Sequence, residues 1–174
     1  MRVCRTSVQP LGRAILTVLL VVAADAVHTQ QQAAQTTLKI SGSVAKPMTL
    51  TAQEIKALPR TTVSIKDEGR DVKYEGVLVG EILRRAGAPL GRELTGAAVA
   101  SYVVASAADG YRAVFSLAEL DPAFTGSEII VADTVDGKPL FEYQGPLRLV
   151  APHDTRGARS VRMLQSLEVV RLPK

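Results

Sequence analysis

Apolar and polar residues alternate over short spans along most of the chain, the period that sends side chains to opposite faces of a strand. Leu38, Ile40 and Val44, with Gly42 among them, read as a first strand, and Pro47 turns the chain after it. Thr51-Ala-Gln-Glu54 is a capping box, and Ile55 and Leu58 supply the buried face of a short helix that Pro59 ends. Thr61, Val63 and Ile65 alternate as the next strand, followed by a charged loop over Lys66–Lys73. Tyr74–Val79 reads as strand or turn, and Ile82, Leu83 and Ala86 stripe a brief helix stopped by Gly87 and Pro89.

The second half keeps the same rhythm. Ala97–Ala108 is apolar and rich in β-branched residues, which predicts a central strand. Asp109-Gly110 is a hairpin signal, and Tyr111–Phe115 is the returning strand. Ser116-Leu-Ala-Glu119 is a second capping box, opening a very short helix before Asp121-Pro122. Ile129–Ala132, the turn at Asp136-Gly137 and Pro139–Phe141 predict a further strand and turn. Leu147–Ala151 and Val161–Leu172 are the final strands. No internal repeat and no linker interrupt this run, so residues 37–174 are expected to form one α+β domain dominated by β structure.

The N-terminus follows another pattern. Arg2, Arg5 and Arg13 form a basic region, Ala14–Ala24 an apolar one, and Ala24-Asp25-Ala26 an A-x-A cleavage site. Residues 1–26 therefore read as a signal peptide and 27–36, polar from His28 to Thr36, as a flexible lead-in. The apolar run is short of the roughly 20 residues a membrane span needs. Export to the periplasm or the extracellular space is expected, with no stable membrane span after cleavage; a retained N-terminal anchor is the rival reading. Cleavage also removes Cys4, the only Cys of the chain, leaving no sulfur nucleophile and no thiolate ligand.

Composition narrows the chemistry further. One Cys excludes a disulfide scaffold and any multi-thiolate metal site. The formal net charge of +4 is partly a property of the leader, and is too mild to suggest nucleic acid. With no Trp and 4% aromatic residues, the chain lacks the means for a stacking surface along a nucleic-acid strand. Basic charge instead gathers at the C-terminal end, where Arg148, Arg156, Arg159, Arg162, Arg171 and Lys174 face only Asp154 and Glu168. Arg159 and Arg162 flank one loop with Gly157, and Arg forks bind phosphate or carboxylate bidentately. The plainer alternative is a set of solvated charges alternating with buried Val161, Leu164, Leu167 and Val169.

Other candidates are each double-edged. His153 and Asp154 could meet a ligand as donor and acceptor, or simply shape a loop. Ser160, His153 and Asp154 name a hydrolase triad, yet no G-x-S-x-G elbow accompanies them. Asp109-Gly110-Tyr111-Arg112 is a turn that places Tyr111 at the core or a pocket lip and offers Arg112 as a further cation. Glu68, Asp71 and Glu75 are carboxylates interspersed with Arg70 and Lys73, the composition of a solvated loop. Tyr143 and Gln144, before Gly145-Pro146, stand as pocket-lining or loop-packing residues.

Four stretches, LKISGSVAKPMTLTAQEIKALP, YEGVLVGEILRRAG, ASAADGYRAVFSLAEL and DGKPLFEYQGPLRLVAPHDTRGARSVRMLQSLEV, follow one another in an order that resembles the molybdopterin-binding domain of the sulfite oxidase family. The resemblance covers about residues 37–172. It implies a β-rich mixed α+β fold, a molybdenum-carrying pterin as cofactor, and a loop like GARSVR that helps to hold the pterin phosphate. The residues set out for that role are Arg112, Arg148, His153, Arg156, Gly157, Arg159, Ser160 and Arg162. Two features depart from the pattern. Where the resemblance implies a molybdenum-binding Cys, the chain reads TTVSIKDEGRDVK, with Asp67 or a neighbour at that place. Arg2 and Arg5 are separated by Val3 and Cys4, so no twin-Arg signal is present. The expectation is a module that binds a small anionic ligand, with no protein thiolate for molybdenum. The alternatives are an active molybdopterin-dependent oxidoreductase with a redox partner protein, and a partner-binding accessory domain with an empty pocket.

Overall fold

A computed structural model of the chain describes residues 36–67 and 69–173; the expected signal peptide with Cys4, the expected lead-in up to residue 35, and Glu68 lie outside these. Two five-stranded sheets carry the architecture. The first runs in the order β2 (Met48–Thr51), β1 (Thr37–Gly42), β10 (Leu164–Arg171), β5 (Ser101–Ala107), β6 (Arg112–Ser116). The second runs β3 (Thr61–Asp67), β4 (Arg70–Leu78), β7 (Ile130–Val135), β8 (Lys138–Pro139), with β9 (Arg148–Val150) also paired to β7. Among the described residues three short α-helices join them: α1 (Ala52–Lys56), α2 (Val79–Arg85) and α3 (Pro122–Thr125).

The ends of the domain meet in the first sheet. β1 lies parallel to β10 with Ile40 opposite Leu167, while β10 and β5 are antiparallel. Leu38 and Ile40 of β1, Val103 and Ala105 of β5, and Leu167 and Val169 of β10 all point inward and are buried. The period of two thus becomes one buried face. Ile82 and Leu83 of α2 close the same core, together with Val131 and Leu149 of the second sheet. Each such aliphatic side chain contributes roughly 1.5–3 kcal/mol by leaving water. The other face of the second sheet buries Val63, Tyr74, Ile130, Ala132 and Val150 in a smaller core. Successive residues of β7 therefore serve two cores, which explains its unbroken apolar run.

The capping box before α1 forms in full: the Thr51 backbone N–H donates to the Glu54 carboxylate at 2.8 Å, and Glu54 N–H donates to the Thr51 hydroxyl at 3.3 Å. The box at Ser116 forms by half. Glu119 N–H donates to Ser116 Oγ at 3.2 Å, but the Glu119 carboxylate turns to Arg159. A single 3-10 turn at Ala118–Leu120 results, and Asp121 then caps α3 with Pro122 at its first turn.

Two local expectations are corrected. The charged stretch Lys66–Lys73 is not a loop but the end of a hairpin, paired from Thr61 opposite Gly76 to Asp67 opposite Arg70. Pairing with the neighbouring strand, which local polarity does not report, extends it. The strand expected from Ala97 begins only at Ser101, after a 3-10 helix at Gly96–Ala100. Gly96 is left-handed at φ 55°, and Ala97, Ala98 and Ala100 lack the β-branching that favours extended backbone.

Candidate anion-binding site

The connection between β9 and β10, residues 151–163, carries the GARSVR stretch and is pinned from three sides. Ser160, buried, accepts the Ala151 N–H on its hydroxyl at 3.2 Å. The Tyr111 hydroxyl, from the β5–β6 turn, donates to the Ala158 carbonyl at 2.6 Å. Met163, at φ 47°, donates its N–H to the Gln144 carbonyl at 2.9 Å and accepts from Ala108 N–H at 2.9 Å, which sets the entry to β10. A 3-10 turn at Gly157–Arg159 sits between these anchors.

Arg159 holds that turn from outside. Its guanidinium forms a two-pronged pair with Asp154 at 2.8 and 2.6 Å and reaches Glu119 at 2.9 Å. It also lies 4.9 Å from the Phe115 ring centroid. The hydrogen bonds to Asp154 keep the Arg159 pKa above its ordinary value despite partial burial. Arg159 was set out as a ligand cation; the structure places its donors on two carboxylates of the chain itself.

A cavity of about 400 Å³ opens where both sheets meet this connection. Lys66 of β3, Arg148 of β9 and Arg162 line it with cationic side chains, and Gly157 and Ser160 line it from the 3-10 turn. Tyr111 and Asp109 form a lip on the β5–β6 side, where the Asp109 carboxylate accepts Tyr111 N–H at 2.9 Å. Arg148 is the buried cation. The strand period places it on the same face as Val150, where its guanidinium stacks 4.9 Å from the Tyr74 ring centroid and donates to the Tyr74 hydroxyl at 2.6 Å. That hydroxyl donates in turn to the buried side chain of Gln144 at 3.4 Å. Arg162 is exposed and lies 5.4 Å from the Tyr143 ring centroid. Among the described residues neither Lys66 nor Arg162 is held by an ion pair.

A second cavity of about 420 Å³ shares Ile65, Lys66, Gly157 and Ser160 with the first. Ser64, Asp71, Asp154 and Thr155 give it a polar, partly acidic wall.

Of the residues set out from the sequence, Arg148, Gly157, Ser160 and Arg162 are thus brought together. Arg112, His153 and Arg156 are exposed and line neither cavity. The Ser160, His153 and Asp154 triad does not assemble: Ser160 is bonded to Ala151 and Asp154 to Arg159. Glu75 pairs with Arg60, whereas Asp71 stands at the second cavity. Among the described residues no group of three or more His, Cys, Asp or Glu side chains could hold a metal ion. Sequence reasoning missed Lys66 as a lining residue, whereas Tyr111, given as a core or pocket-lip residue, stands at the lip. Extending the Val63, Ile65 alternation past Ile65 would have kept Lys66 on a strand.

Residues 24–174 match the oxidoreductase molybdopterin binding domain family. The chain belongs to that family. Among solved structures, the sulfane dehydrogenase SoxCD from Paracoccus pantotrophus superposes with a TM-score of 0.61 at 21% identity. The match covers 78% of this chain and 38% of that one, so the molybdopterin-binding domain described here spans well under half of that protein. It establishes the shared β-rich fold. No curated protein matches the chain.

Among the described residues, the cavity lining fits the phosphate end of a molybdopterin. Cations and a tight turn suit its phosphate. The described walls present Ile65 and Lys66 from β3, neither of which is a ligand for a soft metal centre.

Proposed function

We propose that this molybdopterin-binding domain is an exported binding module that holds the phosphate end of a pterin-type, or other small anionic, ligand against Lys66, Arg148 and Arg162. The observation that supports this is the cavity itself: three cationic side chains converge on it, and two of them have no carboxylate partner among the described residues. A site whose cations are not neutralised by the fold is disposed to take a charge from outside. Protein thiolate ligation of molybdenum is not part of this reading. The TTVSIKDEGRDVK hairpin contains no Cys, and Cys4 leaves with the leader. Molybdenum held by a pterin supplies oxygen-transfer redox chemistry; no redox step is assigned to the side chains of this chain. Family membership favours one second reading, an active oxidoreductase working with a redox partner protein.

Calorimetric titration with inorganic phosphate and with molybdopterin tests the proposal. Charge-assisted hydrogen bonds contribute roughly 1.5–3 kcal/mol each, so Arg162→Ala should weaken binding ~10- to 150-fold. Wild type that binds neither compound leaves the partner-binding reading. Stoichiometric molybdenum in protein purified from its native compartment would establish the oxidoreductase instead. Export is checked by N-terminal sequencing, which should begin near Val27; retention of Met1 would revive the anchor.

A further inference from the structure

The outermost strand of a sheet exposes a row of backbone donors and acceptors, and folds usually blunt it. Among the described residues, the first sheet ends at β2 and β6, the second at β3 on one side and at β8 and β9 on the other. β2 has four residues and follows Pro47, β8 has two, one of them Pro139, and the Leu149 N–H of β9 is taken by the Val161 carbonyl. β3 turns Ile65 and Lys66 to the cavities. β6 contains no Pro and borders neither cavity. The phase of its pairing with β5 is fixed at both ends. Leu117 N–H donates to the Ser101 carbonyl and Ala107 N–H to the Tyr111 carbonyl, both at 2.9 Å. The register between is unbroken, so Ala113 and Phe115 are the residues of β6 that bond β5. Arg112, Val114 and Ser116 alternate with them and aim their N–H and C=O groups outward, where among the described residues no hydrogen bond meets them. Their side chains are exposed as well, and Val114, at 53%, packs in neither core.

We propose that β6 is a pairing edge for a second copy of this chain, laid antiparallel across a two-fold axis at Val114. The register is self-complementary. With Val114 opposite Val114 of the copy, Arg112 meets Ser116 of the copy and Ser116 meets its Arg112. All three outward residues then fall at hydrogen-bonded pairs, which recur with the same period of two. Sliding the strands by two residues leaves one outward residue on each copy without a strand partner. The side chains agree with the backbone. The two Val114 side chains share one face, with Cβ atoms about 5 Å apart, and cover each other's exposed surface. Arg112 lies beside a hydroxyl that can accept, not beside its own counterpart. The two Arg112 residues are four positions apart, about 14 Å along the strands, which exceeds the screening length of about 8 Å. A foreign strand could satisfy the backbone, but this placement of Val against Val and Arg against Ser is a property of β6 meeting itself. The two first sheets become one continuous sheet. Few residues a side make a small interface, so the dimer is weak and depends on concentration. The inference is independent of the anion site.

Sedimentation equilibrium of the purified protein from about 1 μM to about 1 mM tests the pairing, and the mass should rise from one copy towards two. Amide hydrogen exchange by NMR locates the contact. Arg112, Val114 and Ser116 should exchange fast in dilute protein and about tenfold more slowly at the concentrated end, while Ala113 and Phe115 stay protected at both. Val114→Lys sets two like charges at the axis and should raise the dissociation constant at least about tenfold. Val114→Pro removes an outward N–H that β5 does not use, and should abolish association. Far-ultraviolet circular dichroism checks that each variant keeps its fold; should the Pro variant not fold, the Lys variant, altered only at an exposed side chain, carries the test. Thr62→Lys, on the open strand of the second sheet, should leave association unchanged. Wild type that stays a single copy up to about 1 mM overturns the proposal. A dimer that survives in the folded Val114 variants, or in which the amides of Arg112, Val114 and Ser116 stay fast, uses another surface and overturns it too. Loss of association in Thr62→Lys would move the contact to β3 and have the same consequence.

Discussion

Arginine chemistry here depends on which neighbours claim the guanidinium. Arg148, Arg159 and Arg162 lie within one short stretch, yet each meets a different environment: a buried aromatic face, two carboxylates, and an open cavity beside Tyr143. Arg159 should therefore act on stability more than on binding. Losing its two-pronged pair with Asp154, the Glu119 contact and the Phe115 face should cost about 1–2 kcal/mol, since partly exposed pairs are screened by solvent. Arg159→Ala should then lower Tm by roughly 3–8 °C, while Arg162→Ala shifts it little. Thermal scans beside phosphate titrations of the two variants separate the roles. An Arg159→Ala protein with unchanged Tm and lost phosphate affinity would return Arg159 to the ligand.

At the scale of elements, the second sheet is held at its exposed side by one ion-pair group. Arg60, just before β3, donates to Asp133 of β7 at 3.0 and 2.6 Å and to Glu75 of β4 at 3.0 Å. Burial opposes ionisation of Asp133, but the hydrogen bonds from Arg60 and Thr134 outweigh it and leave the carboxyl pKa below its ordinary value. The sign follows from that depression. The stabilisation is complete above the unfolded carboxylate range, near pH 4, and is lost as pH falls through the lower folded value. Asp133→Asn should cost about 1–3 kcal/mol at pH 7, and the gap from wild type should close towards pH 2. Urea unfolding at several pH values measures it. A gap that stays constant down to pH 2 would mean the pair is not what joins β3, β4 and β7.

Across the whole molecule, the parallel pairing of β1 with β10 joins the first and last strands of the domain and centres β10 in its sheet. Gly42 makes the approach workable. It has φ 86°, and a Cβ there would fall 2.1 Å from the Val169 carbonyl oxygen. Gly42→Ala should destabilise by at least about 2 kcal/mol, through both the left-handed backbone and the contact. Because the first core includes residues from both sheets, near- and far-ultraviolet signals should shift together in denaturant. Loss of one signal alone, or no shift at all, would show that the β1–β10 seam does not tie the cores together.

Local pattern was enough to determine much of this. The alternation of Leu38 with Ile40, the Thr51 capping box, the stripe of Ile82 and Leu83 and the turns at Asp109-Gly110 and Asp136-Gly137 all act between residues close in sequence, and they appear where the residues place them. The same holds for Gly157, Ser160 and Arg162, neighbours on one connection that reach one cavity. Arg148 was legible as a candidate cation but not as a buried one. Its burial depends on Tyr74, far away in sequence, whose ring and hydroxyl receive it. Likewise the pairing of Arg159 with Glu119, the entry of Lys66 into the cavity from β3, and the tie from Tyr111 to Ala158 are set by how separate strands pack. A sequence shows how many charges and rings a segment carries; only the packing of distant segments decides which charges neutralise one another and which are left facing a cavity.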